Sequence, residues 1–173
     1  MTSDVYRAVR EVLAVRQFRD QVVPEEVVRR ILESGRLTAS SMNLQPWHFV
    51  LVQDRLRLRE LGGLVPTGPY IAEAAFAIVV AYEKASRFGV SDASRAIQSM
   101  ALTAWAEGVG SNWTGFGGLE AVRLWCGLPD SHEVLAVVPF GYPRAARVLG
   151  YKKRKPLDQV ASREHYGRPV GGA

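Results

Sequence analysis

The chain has 173 residues, 47% of them hydrophobic and 23% charged, with 22 Lys plus Arg against 17 Asp plus Glu and one cysteine. Surface scaling leaves roughly 8,400 Å² exposed of about 27,700 Å² in the unfolded chain, so one domain can build its core without staples. Cys126 alone excludes an internal disulfide or a Cys-based zinc site, His48, His132 and His165 lack ligand spacing, and the net charge of +5 favours an anionic partner without naming it.

In chain order, Asp4 is placed to cap a first helix with Val5, Val9, Val12 and Leu13 at helical spacing. Pro24-Glu25-Glu26 opens a second helix carrying Val27, Val28, Ile31 and Leu32, with Gly35 as its stop. The run Trp47 to Val52 is aromatic and β-branched and reads as a strand; a short helix from Arg55 to Leu61 then ends at Gly62-Gly63. Phe76 to Tyr82 is apolar at nearly every position, which predicts a central strand covered on both faces. Ser91 or Asp92 is expected to cap the longest helix, which runs to Glu107 with Ile97, Met100, Ala101, Ala104 and Trp105 facing inward. A brief strand at Ser111 to Thr114, a helix from Leu119 to Cys126 and a strand from Glu133 to Phe140 follow. Strands interspersed with helices predict a three-layer α+β or α/β sandwich. The stretch from Arg144 has little periodicity yet keeps Tyr151, Leu157, Val160 and Tyr166, which suggests an arm lying on a partner subunit.

No apolar run is long enough to cross a bilayer and the amino terminus lacks a signal-peptide core, so a cytoplasmic protein is expected. There is no Gly-x-Ser-x-Gly elbow, no Walker A loop and no His-Glu-x-x-His, which leaves an enzyme whose cofactor carries the chemistry, or a binding protein. Four segments bear polar chemistry. Ser40-Ser41-Met42-Asn43-Leu44-Gln45 could offer hydrogen bonds to a planar polar ligand, or be an ordinary helix-to-strand loop. Lys152-Lys153-Arg154-Lys155 could clamp a phosphate, form a solvated charge run, or contact nucleic acid, although no aromatic interleaving accompanies it. Arg16 and Arg19 follow the first helix and could reach an anion. Trp113-Thr114-Gly115 could meet a ligand edge or be a packed Trp beside a turn.

Taken in order, these segments resemble the FMN-dependent nitroreductase family. The similarity rests on Arg16-Gln17-Phe18, Val23-Pro24-Glu25-Glu26, Ser41-Met42-Asn43-Leu44-Gln45-Pro46-Trp47, Asp92-Ala93-Ser94, Gly108-Val109-Gly110-Ser111-Asn112-Trp113, Phe140-Gly141-Tyr142-Pro143, Lys152-x-Arg154-Lys155-Pro156-Leu157 and His165-Tyr166-Gly167. The resemblance implies one domain over 1–173, with a core over 1–143 and an arm over 144–173 exchanged in a homodimer. It implies an α/β/α sandwich on a mixed, mainly antiparallel sheet, with FMN at the subunit interface and no metal. By the same likeness Arg16, Lys152 and Arg154 would face the phosphate and ribityl end. Ser40, Ser41, Met42, Asn43 and Gln45 of the other subunit would line the flavin edge, and Trp113, Thr114 and Gly115 would pass along the ring, with a backbone N–H near flavin N5. The implied reaction moves electrons from NADH or NADPH to a nitroaromatic, quinone or similar acceptor by a ping-pong hydride mechanism. Where the family commonly has Arg-Arg-Ser, this chain has Val12-Leu13-Ala14. At about 1.5–3 kcal/mol per lost charge-assisted bond, that departure opens a second reading, a non-redox or weakly flavin-binding family member.

Overall fold

The structure is a computed structural model that describes residues 4–115, 117–145 and 152–170. Its elements are α1 (Asp4–Glu11), α2 (Glu25–Arg36), β1 (Trp47–Val52), α3 (Arg55–Leu64), β2 (Phe76–Glu83), α4 (Gly89–Ala106), β3 (Gly110–Ser111), α5 (Glu120–Trp125) and β4 (His132–Gly141). The four strands lie in the order β1-β2-β4-β3, and every strand pair is antiparallel. Among the described residues, parallel pairing enters only as an isolated bridge between Ala14 and Ser111.

β2 is interior to the sheet, and its alternation explains the layers. Phe76, Ile78 and Val80 face α2 and α4, joining Val28, Ile31, Met100 and Ala104. Ala77, Val79 and Ala81 face the other side, where Leu58, Leu61, Ile71, Val122 and Leu128 close over them. A continuous apolar strand is what a sheet covered on both faces requires. The register between β2 and β4 slips by one residue at Val80/Ala81, so that Leu135 is extra in β4 and lies on the same face as Ala136.

Five expected boundaries are corrected. α1 ends at Glu11, leaving Val12 and Leu13 outside it, because Ala14 and Val15 turn to meet Ser111; the Val15 N–H donates to the Ser111 carbonyl at 2.9 Å. Gly35 does not stop α2. It is helical and buried, and a Cβ there would sit 3.0 Å from Met100 Sδ, so the glycine lets α2 approach α4. α3 runs through Gly62-Gly63 to Leu64. Neither Ser91 nor Asp92 caps α4, which begins at Gly89; Asp92 lies inside the helix and is fully buried. The brief strand shrinks to Gly110–Ser111, with Thr114 making a separate bridge to Val137.

The arm over 152–170 has one 3₁₀ turn, Leu157–Gln159, and leaves Leu157, Val160 and Tyr166 exposed. Tyr151, which the sequence reading places on the arm, lies outside the described residues. No helix among the described residues is long and apolar enough to cross a membrane.

Candidate functional site

The loop between α2 and β1 is held in an uncommon backbone shape. Met42, Asn43 and Gln45 have φ of 54°, 56° and 51°, a region that costs non-glycine residues about 1–3 kcal/mol each. Internal hydrogen bonds offset part of this cost. The Gln45 N–H donates to Ser40 Oγ at 3.0 Å, the Asn43 N–H to the Ser40 carbonyl at 3.0 Å, and Gln45 Nε2 to the Asn43 carbonyl at 3.2 Å. Ser41 is tied to the core: its N–H donates to Asp92 Oδ2 at 3.0 Å and its hydroxyl to Asp92 Oδ1 at 3.2 Å. Ser40 therefore spends its hydroxyl within the loop and Ser41 spends its own on Asp92, while Met42, Asn43 and Gln45 are exposed and available to a ligand.

The Trp113-Thr114-Gly115 strip borders the sheet at β4. Thr114 and Gly115 are buried and Trp113 is half-buried, with its indole N–H donating to the Gly115 carbonyl at 3.2 Å. Two of the strip's amides are engaged within the chain: Thr114 donates to the Val137 carbonyl at 3.1 Å and Gly115 to Thr67 Oγ1 at 3.3 Å. Thr67 Oγ1 also bonds Thr114 Oγ1 at 3.2 Å. An amide for a flavin N5 would thus have to come from elsewhere on the strip, or from Gly115 by exchange of its longer bond. Among the described residues, no hydrogen bond joins this strip to the Ser40–Gln45 loop.

The cations form the third part. Arg16 follows the Ala14–Ser111 bridge and is exposed. Lys152 donates from Nζ to the Val9 carbonyl in the last turn of α1 at 2.7 Å, where helix carbonyls lack partners. Burial lowers the Lys152 pKa from the ordinary lysine value, and the nearby Arg154 charge lowers it further. Among the described residues, Arg7, Arg30, Arg36, Arg55, Arg57, Arg95, Arg123, Arg144 and Arg168 are paired with carboxylates. Arg16, Lys152 and Arg154 have no carboxylate partner there. Other described cations, among them Arg10, Arg19, Lys153 and Lys155, also lack such a partner; what sets Lys152 and Arg154 apart is that they lie close enough for the Arg154 charge to act on Lys152, and two neighbouring cations suit a phosphate dianion.

Residues 13–77 and 66–142 match the model of the nitroreductase family. The chain belongs to that family. A Methanothermobacter thermautotrophicus protein with the provisional name NADH dehydrogenase/NAD(P)H nitroreductase is 33% identical over 148 residues, 81% of this chain and 78% of its own. A crystal structure from Bacteroides thetaiotaomicron, under the same provisional name, superposes with a TM-score of 0.88 at 28% identity, over 96% of this chain and 100% of that one. The NADPH:FMN oxidoreductase of Vibrio harveyi, solved with NAD+, shares the fold at a TM-score of 0.82 and 23% identity, over 95% of this chain and 78% of that one. In this nitroreductase-family chain the two matched stretches overlap at 66–77, which covers most of the compact segment between α3 and β2 and the first two residues of β2.

Two residues around the site escaped the sequence reading in these roles. Asp92 was legible in principle, as one carboxylate on the apolar stripe Ala93, Ala96, Ile97, Met100 of α4. Thr67, in a short loop far along the chain from Thr114, carried no such signal.

Proposed function

We propose that this chain is an FMN-dependent NAD(P)H oxidoreductase acting on a nitroaromatic, quinone or similarly electron-poor acceptor in a ping-pong cycle. The observation that carries the reading is Lys152, seated on the end of α1 with Arg154 beside it, on a family fold, with Arg16 following the sheet-edge bridge. These three would hold the FMN phosphate and ribityl chain by charge-assisted bonds. Trp113, Thr114 and Gly115 would give the ring a flat, mostly apolar wall, and the Ser40–Gln45 loop of the partner subunit would supply Met42, Asn43 and Gln45 to its edge. When bound, FMN supplies the redox step, accepting a hydride from NADH or NADPH and passing electrons on to the acceptor. The chain's own contribution is to fix the ring, exclude water from its buried face and leave the other face open to donor and acceptor in turn. A single domain, with core 1–143 and arm 144–173, and a homodimer complete this reading.

One observation favours the weaker-binding alternative. The Val12-Leu13-Ala14 segment offers no side-chain cation or hydroxyl, and its backbone leads directly into the edge contact with Ser111. The test is the visible spectrum of the purified protein, with and without added FMN, followed by anaerobic NADH or NADPH. A bound flavin band that bleaches with either nucleotide is expected. A bound flavin that neither nucleotide bleaches would favour a non-redox binder, and no binding at added FMN would overturn the cofactor assignment.

A further inference from the structure

We infer that Asp92 is a positioning residue for the flavin-edge loop, the group through which α4 sets the shape of Ser40–Gln45. The inference rests on the flavin reading for its function, and on the geometry alone for the clamp. Asp92 is fully buried in the first turns of α4, where the helix dipole favours a carboxylate. Both its oxygens are committed: Oδ2 accepts the Ser41 N–H at 3.0 Å, and Oδ1 accepts the Ser41 hydroxyl at 3.2 Å and an Arg95 N–H. Arg95 reaches on to Ser41 Oγ at 3.4 Å, so a charged pair and a serine close one small network.

Ser41 opens the 3₁₀ turn Ser41–Asn43, and the residue after it, Met42, is the first of three with left-handed backbone. A loop whose exposed residues sit in a costly conformation keeps it only where neighbours over-determine it. Here the internal bonds of the loop are all local, and the link from Ser41 to Asp92 crosses 51 positions of sequence to the helix. Asp92 also faces the core stripe of α4 without contributing apolar packing, so a structural purpose alone would be served by Ala or Leu. A buried carboxylate is retained only when its bonds do something, because an unpaired one is strongly disfavoured.

The test pairs Asp92→Asn, which keeps an acceptor for the Ser41 N–H but loses the charge, with Asp92→Ala, which loses both. Amide hydrogen exchange of the FMN-free protein reads the loop directly, and flavin fluorescence titration reads affinity. In Asp92→Ala, exchange at 41–45 rises while exchange in α2 and the remainder of α4 is unchanged, and FMN binding weakens by about 10- to 100-fold. Asp92→Asn falls between Asp92→Ala and the parent chain in both readouts. Unchanged loop exchange in Asp92→Ala overturns the clamp, as does a rise shared equally by α2 and α4, which would make Asp92 a general core residue. Should Asp92→Ala fail to fold, Asp92→Asn carries the comparison by the same criteria. A parent chain that binds no FMN would sink the flavin reading, and the exchange measurement would still decide the clamp.

Discussion

Gly110 and Val15 show how much of the site depends on one missing methyl group. Val15 lies one residue before Arg16 and hands its N–H to Ser111, while its side chain covers Gly110; a Cβ on Gly110 would lie 2.4 Å from Val15 Cγ2. No rotamer change at a β-branched residue relieves an overlap of that size easily. Gly110→Ala is therefore expected to cost about 1–3 kcal/mol by overpacking, read as a lower urea midpoint, and to push the 12–16 segment, Arg16 included, away from the sheet edge. Val15→Ala in the same chain removes both Cγ contacts but leaves the Val15 Cβ 2.8 Å from the added methyl, so the double variant should recover part, not all, of the loss seen in Gly110→Ala alone. If the two changes were simply additive in their losses, the contact would not be the cause.

At the scale of elements, the periodic signals were legible and the special geometries were not. The two-sided burial of β2 follows from Phe76 to Tyr82 being apolar throughout, and α2 and α4 from their apolar spacing. Gly35 was misread because a glycine near a helix end looks the same in sequence whether it ends the helix or lets another helix approach. Asp92 was misread because an acidic residue near a helix start fits a cap as well as it fits a buried clamp. Of the proposed site, the motif positions Arg16, Ser40–Gln45, Trp113–Gly115, Lys152 and Arg154 come from residue order and the family resemblance alone. The left-handed turn at Met42, Asn43 and Gln45 could not, since none is a glycine. The arm's contact with α1 was invisible for a different reason: Lys152 is one cation among four in its run, and only the fold shows that, among the described residues, it is the one that reaches the Val9 carbonyl.

That contact has a pH signature. Burial disfavours the charged form of Lys152, and Arg154 adds like-charge repulsion, so its amine gives up its proton at a lower pH than a lysine in water. The charge is present below that lowered pKa and lost above it. A bound phosphate would pull the pKa back up, so binding takes up protons on the alkaline side. FMN affinity should accordingly weaken in the alkaline range before an ordinary lysine titrates, while riboflavin, which lacks the phosphate, should not follow it. Lys152→Met should remove that difference in pH dependence. Parallel FMN and riboflavin profiles in the parent chain would exclude Lys152 from the phosphate site.

For the whole molecule, apolar side chains left in solvent on α1 and the arm argue for a partner surface. α1 has no buried residue, with Val5 71% and Val9 47% exposed, and the arm shows Leu157 at 67% and Val160 at 64%. Side chains of this kind, exposed together, suit a homodimer interface, which is more apolar than the rest of a surface. The parent chain should therefore sediment at about twice its 19.1 kDa. Leu157→Asp with Val160→Asp would remove four apolar burials from the pair of arms, roughly 6–12 kcal/mol of association free energy at about 1.5–3 kcal/mol each. That loss is enough to turn a nanomolar dimer into monomers. Neither residue belongs to the core on either face of the sheet, so the far-ultraviolet spectrum of each subunit should be kept. Because the cations of one chain and the Ser40–Gln45 loop of the other would complete each cofactor site, monomers should also release FMN. A dimer that persists with the charged arm, or monomers that retain FMN at parent affinity, would refute the shared site.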